Sequence, residues 1–310
     1  MNKNTLNIRW ALIMLGIFCF TNICIAKEIS ESMLQTMSAT GERFEGDDSV
    51  VVTIKDSAGN LYVLKQTKEN TSDSQLQIIV EYVVSQIALI EDINVPETQI
   101  IPATWQHPAK PFKNRIALLQ PKVPGVCVNE NVIQIKQSSR SPWQKDIMDK
   151  RFGPLSLANT GLTPSVISML VKNKDLSKIA ALDTFINNAD RSSGNLIYDS
   201  DTDVYYAIDH LAAFTNKSLA LHALRQISEH EKELTVEEIE ALKIYLATLQ
   251  GLYNNMPPKK TITSITENMI KFCPKYKQDA EIVDTLESYS RFIRNNYKDT
   301  KKLISYLEQL

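Results

Sequence analysis

Residues 180–215 read AALDTFINNADRSSGNLIYDSDTDVYYAIDHLAAFT. An apolar helical run ends in Asn188-Ala189-Asp190-Arg191, and Asn195 stands five positions after Asp190. Two strand-like stretches follow, Leu196-Ile197-Tyr198 and Val204-Tyr205-Tyr206-Ala207-Ile208, with polar residues between them. That alternation predicts a hairpin. Its second strand leads into Asp209-His210, so two acids and an amide sit at the ends of short elements. Oxygen donors placed this way can hold magnesium and set a hydroxyl beside a nucleotide phosphate.

The same stretch contains a decoy. Asp199, Asp201 and Asp203 have the one-three-five spacing of a calcium loop, but Val204 replaces the required Gly and His210 the required Glu. A polar turn between the two strands explains the three acids better. Asp209 is different, because it closes an apolar strand. A buried carboxylate there is costly unless it is paired or bound to a cation.

The residues Asp183, Phe185, Asn188, Asp190, Arg191, Asn195, Ile208, Asp209, His210 and Phe214 carry a resemblance. The segment resembles the catalytic core of the HipA-like kinases, within the wider protein-kinase-like group. The resemblance implies that Asp190 accepts a substrate hydroxyl proton and that Arg191 fixes the catalytic loop through a carboxylate. It implies Asn195 and Asp209 as magnesium ligands. Asp183 is either a brace for that loop or a plain helix-face acid.

Upstream, Val50-Val51-Val52-Thr53-Ile54 and Leu61-Tyr62-Val63-Leu64-Lys65 flank a turn at residues 56–60 and predict a hairpin. A helix is expected over 74–90, with Leu76, Ile79, Val80, Val83 and Ile87 as its apolar stripe and Glu81 off that stripe. Further strands are expected around Ile100-Ile101 and over 115–119, joined by a Pro-rich loop at 106–113. Residues 27–47 read as a loose, polar beginning. The resemblance extends here and implies that Lys65 reaches the ATP phosphates with Glu81 as its helix partner.

Residues 121–165 read as a long, irregular connection. Helices are expected over 164–172, 175–188, 219–227, 235–253, 263–272 and from 279 onward, with Thr235 and Glu238 forming a capping box. Three departures from the family pattern stand out, one of them the Ser192-Ser193-Gly194 spacer, smaller than the frequent His-containing version. Leu211 occupies a position where many kinases have Gly, which implies a fixed loop. Gly41, Gly46 and Gly59 are too scattered to make a phosphate-cradling loop.

Composition sets the broad class. A chain of 310 residues with 43% hydrophobic residues and only 9 Gly fits a packed, helix-rich globule. A net charge of −2 gives no nucleic-acid footprint. Lys3 and Arg9 precede an uncharged run from Trp10, and Cys24-Ile25-Ala26 supplies small residues before Lys27. This is the pattern of a Sec-type signal peptide over 1–26, an uncleaved anchor being the rival reading. Cys19 and Cys24 lie within that segment, which leaves Cys127 and Cys273 as one possible disulfide or two separate thiols.

The sequence therefore predicts an exported α+β protein with a two-lobed, kinase-like fold. Residues 27–120 form a small β-rich N-lobe with one helix. Residues 121–310 form a mainly helical C-lobe, ending in a helical tail over 219–310. The expected activity is phosphoryl transfer from ATP with magnesium to a Ser or Thr of a protein substrate. No nucleic-acid partner is expected, nor stable membrane insertion after signal removal. Periplasmic, secreted or host-delivered destinations remain open. The alternatives are a pseudokinase that serves as a binding module, and a kinase of a small molecule or lipid.

Overall fold

The structure is a computed structural model that describes residues 31–45, 49–67, 71–102, 116–128, 162, 164–191, 193–216 and 218–310. The expected signal peptide, the 106–113 loop and most of the 121–165 connection lie outside the described residues.

A short helix α1 (Glu31–Thr36) leads into β1 (Ser38–Glu45), β2 (Ser49–Lys55) and β3 (Leu61–Thr67). Helix α2 (Ser72–Ile90) follows, then β4 (Gln99–Pro102) and β5 (Ile116–Pro121). The strands form one antiparallel sheet in the order β1-β2-β3-β5-β4. Strands β2 and β3 are rich in β-branched and aromatic residues, which suit a pleated, half-buried surface. The turn between them is held by Asp56, whose Oδ1 accepts from the backbone N–H of Ala58 (2.9 Å) and Asn60 (2.8 Å).

Strand β1 corrects the reading of residues 27–47 as a loose beginning. Its sequence, SATGERFE, has too little apolar alternation to announce a strand. As the sheet's edge it needs only one partner, β2, and its register shifts between Ala39 and Arg43. Gly41 lies in that shift at φ +95°, the backbone that a glycine bulge provides.

Helix α2 opens at the cap Thr71, whose hydroxyl accepts from Ser74 N–H at 3.1 Å. More of it is buried than the single predicted stripe. Ile78, Val84 and Ala88 are enclosed along with Leu76, Ile79, Val80, Val83 and Ile87. The reason lies in the cores. One face of the sheet packs a small cluster of Ile54, Leu64, Ile101, Ala117 and Leu119 with Leu34 and Met37. Helix α2 belongs instead to a much larger core that continues into the C-terminal helices.

The second half begins with β6 (Val126–Cys127), α3 (Pro164–Leu170) and α4 (Lys174–Ile186). The predicted hairpin is present as β7 (Leu196–Asp199) and β8 (Val204–Ala207), and with β6 it makes a second antiparallel sheet. Gly125, at φ +103°, allows the chain to run against the β7 backbone at Tyr198 and Asp199, where a Cβ would overlap. In the β7–β8 turn, Asp199 accepts from Asp201 N–H (3.1 Å) and Thr202 Oγ1 (2.6 Å), and Asp203 accepts from the Tyr198 hydroxyl. These acids build a turn, as the sequence implies.

The tail consists of α5 (Leu219–His230), α6 (Val236–Asn255), α7 (Pro258–Phe272) and α8 (Ala280–Leu307). The Thr235–Glu238 capping box is formed in both directions. Helix α7 starts earlier than expected. Proline is well suited to a first helical position, so Pro258 opens the helix ahead of the start expected at 263. Among the described residues, no helix is long and apolar enough to cross a membrane. No disulfide joins Cys127 and Cys273, whose thiols hydrogen-bond to Gly194 O and Gln75 Oε1.

Candidate active site

Lys65 sits in the middle of the first sheet, in register with Val51 of β2 and Leu118 of β5. Only 5% of it is exposed. An ammonium in such a place needs anionic partners. It has two: Glu81 Oε2 of α2 at 2.8 Å, and Asp209 Oδ1 beyond β8 at 2.8 Å. The expected Lys65–Glu81 pair is therefore formed. The direct reach to Asp209, 144 residues away, joins the two lobes.

Two carboxylates sharing one ammonium titrate as a unit. Burial pushes the lysine down, but the two anions outweigh it and hold Lys65 above its ordinary value. Burial also raises Asp209, but attraction to Lys65 prevails and holds it below the usual carboxylate range. Glu81 is raised, first by burial and then by the Asp209 anion, against the pull of Lys65. Asp209 thus stays ionised, and Glu81 is the first of the pair to take a proton.

The residues of the Asp190 loop grow out of the end of α4. Asn187 terminates that helix in the left-handed region, at φ 56°. This is a conformation that Asn tolerates better than most residues. Asn188 then turns inward. It donates from Nδ2 to Asp183 Oδ1 at 3.1 Å, and its Oδ1 accepts from Asp190 N–H at 3.2 Å. Asp190 itself projects outward and is exposed.

Arg191 makes the carboxylate contact that the resemblance implies. It is wholly buried, so its guanidinium reaches no substrate. Its Nε and Nη2 each meet an Asp183 oxygen at 3.0 Å, the bidentate fork expected of it. Its Nη1 donates to Asn195 O at 2.8 Å and to Ile208 O. One arginine thus ties α4, the Asp190 loop and the end of β8. Asp183 is the brace of that loop, resolving the choice that the sequence left open.

Asn195 and Asp209 come from facing strand ends. Leu196 pairs with Ala207, and Ile208 N–H donates to Asn195 O at 3.1 Å. The Asn195 side-chain amide donates to Asp190 O at 2.9 Å, which leaves its Oδ1 as the available ligand atom. Asp209 lies at φ 58°, and its side chain is 37% exposed. This hard-oxygen pair suits magnesium, which completes its shell with water and phosphate oxygens. Among the described residues, no three of His, Cys, Asp and Glu gather as a metal cage. The left-handed residues in the loop after β8 are Asp209 and Phe214, whereas Leu211 has no positive φ. Leucine is therefore tolerated where glycine is frequent.

Sequence reasoning assigned no role to two residues here. His210 is buried, and its Nδ1 accepts from Arg191 Nη2 at 2.9 Å. Burial, with the nearby Arg191 and Lys65 charges, holds its pKa well below the ordinary value, so the ring is neutral. Asn187 grips the segment after Asp209: its Nδ2 donates to Thr215 O (2.6 Å), and its Oδ1 accepts from Leu219 N–H (2.8 Å). An Asn just past a helical run is a C-cap signal, and it was the available clue.

A family model described as HipA-like kinase matches residues 52–283, well over half of the chain. No curated protein matches the chain in sequence. Solved structures similar to it include the proinflammatory kinase CtkA of Helicobacter pylori, with 13% identity and a TM-score of 0.47 over 87% of this chain and 95% of that one. The Rio2 kinase of Chaetomium thermophilum, solved with ADP, Mg2+ and phosphoaspartate, has 12% identity and a TM-score of 0.41 over 85% and 73%. A Stt7 homologue from Micromonas algae, soaked with ATP, has 12% identity and a TM-score of 0.41 over 87% and 91%.

Proposed function

The chain belongs to the HipA-like kinase family, and on that premise we propose that it transfers the γ-phosphoryl group of ATP to a Ser or Thr hydroxyl of a protein. The observation that carries this reading is the buried Lys65, held between Glu81 and an Asp209 that adjoins Asn195. Such a lysine is poised to exchange a carboxylate for phosphate oxygens while Glu81 keeps it in place.

Asp190, exposed at the loop tip, accepts the proton of the attacking hydroxyl. The hydroxyl oxygen bonds to the γ-phosphorus, and the bond to the bridging oxygen breaks, leaving ADP. Asn195 and Asp209 would hold magnesium, which neutralises phosphate charge when bound. Arg191 and Asp183 keep Asp190 and Asn195 at a fixed spacing and take no part in the chemistry. The amino-terminal pattern supports action outside the cytoplasm of the producing cell, after cleavage before Lys27.

The test is thermal unfolding of the chain from Lys27 with millimolar ATP and magnesium. A stabilising shift is expected, lost in Asp209→Ala. Label transfer from γ-labelled ATP to a protein acceptor is expected, lost in Asp190→Ala. No shift in the parent chain would refute nucleotide use and leave the pseudokinase reading, which the scattered glycines of the N-lobe favour. Label appearing only on a small molecule or lipid would replace the protein acceptor.

A further inference from the structure

Helix α2 carries Glu81, so the Lys65–Glu81 pair exists only while α2 keeps its place. We propose that the helical tail is a built-in clamp on α2, with Glu91 and Gly251 as positioning residues for that pair. The claim concerns the geometry of α2 and rests on the phosphotransfer reading only for its consequence in catalysis.

Both ends of α2 are pinned to the tail. Near its start, Gln75 accepts from the Cys273 thiol at the end of α7, at 2.9 Å, and both residues are buried. At its other end the cap residue Glu91 lies against α6, where Asn255 Nδ2 donates to Glu91 Oε1 at 2.9 Å. Gly251 of α6 makes room for that carboxylate, since a Cβ there would overlap it. Glycine inside a helix costs about 1 kcal/mol relative to alanine, so its presence in α6 is explained by the seat it leaves for Glu91.

Between the two pins, α2 is in contact with α6, α7 and α8 and shares their apolar core. A rigid swing of α2 away from Lys65 breaks both pins at once. Loss of either pin lowers the cost of that swing and uncovers the other end.

Cys273 reports the swing directly, because only 4% of it is exposed beneath α2. The experiment is peptide-resolved alkylation of Cys273 and Cys127 with iodoacetamide on the chain from Lys27. In Gly251→Ala, which removes the seat while favouring helix α6, labelling of Cys273 is expected to rise about threefold, the scale of one solvent-exposed contact to a charged group. Labelling of Cys127 is expected to stay unchanged. Glu91→Ala is expected to do the same, and Gly251→Ala added to Glu91→Ala should have no further effect. Unchanged labelling of Cys273 in both single variants overturns the clamp. An equal rise at both cysteines overturns it too, because it signals general loosening. If the clamp pattern appears and ATP with magnesium gives no thermal shift, the clamp stands and the phosphotransfer reading falls.

Discussion

Replacing Arg191 with methionine keeps an unbranched apolar stem and removes the guanidinium with its charge and hydrogen bonds. In the native fold that guanidinium is fully buried, bidentate to Asp183, and bonded to Asn195 O, Ile208 O and His210 Nδ1. Without it the Asp183 carboxylate, itself 4% exposed, loses its counter-charge and keeps only Asn188 Nδ2. Breaking a buried pair from one side costs about 3–5 kcal/mol. Each orphaned carbonyl adds about 1–3 kcal/mol where water cannot reach it. The upper end of the first range is therefore expected, which for a chain of this size is a fall in Tm of about 8 °C. The assay is urea and thermal denaturation followed by far-ultraviolet circular dichroism. Adding Asp183→Leu removes the stranded anion, so the double variant should recover about 2 kcal/mol relative to Arg191→Met alone. A cost below about 1 kcal/mol for Arg191→Met would refute the tie described above.

Two further outcomes follow from the same loop. His210 is buried and neutral with its pKa depressed, whereas in the unfolded chain it protonates near the ordinary value of 6.5. Below 6.5 the unfolded state binds the extra proton, so stability is complete above that pH and declines as pH falls, by up to about 1.4 kcal/mol per unit. His210→Gln should flatten that decline in denaturation midpoints taken at pH 7.0 and 5.5, and an unchanged decline would assign it to other groups. Asn187→Ala should cost about 2–3 kcal/mol, because alanine resists the left-handed backbone and cannot bond Thr215 or Leu219. Asn187→Gly, which keeps the backbone, should be milder by about 1 kcal/mol in the same urea titration, and equal losses would count against the strain.

Much of the site was legible because it lies in one short segment. The spacing of Asp190, Asn195 and Asp209 around a hairpin is local information, and β7, β8 and the loop before them appear as read. The Lys65–Glu81 pair was legible through resemblance. Glu81 lay off the predicted stripe, and nothing local said that the second side of α2 would also be covered. Contacts made across the fold were not legible. The Lys65–Asp209 bridge and the Gln75–Cys273 bond span 144 and 198 residues. Strand β1 was missed because an edge strand can be polar, and the start of α7 because Pro258 initiates a helix as readily as it ends one. His210 was quoted within its motif, but its role depends on a neutral ring facing an arginine, which only burial reveals.

The shared core of α2 and the carboxy-terminal helices bears on how the chain is made. During synthesis the first hundred residues emerge with an apolar helix whose neighbours have yet to be translated, since α7 and α8 come last. Contacts so distant in sequence form slowly, and the amino-terminal lobe cannot complete itself in their absence. Nascent chains of this protein should remain open and chaperone-bound until their final helices leave the ribosome.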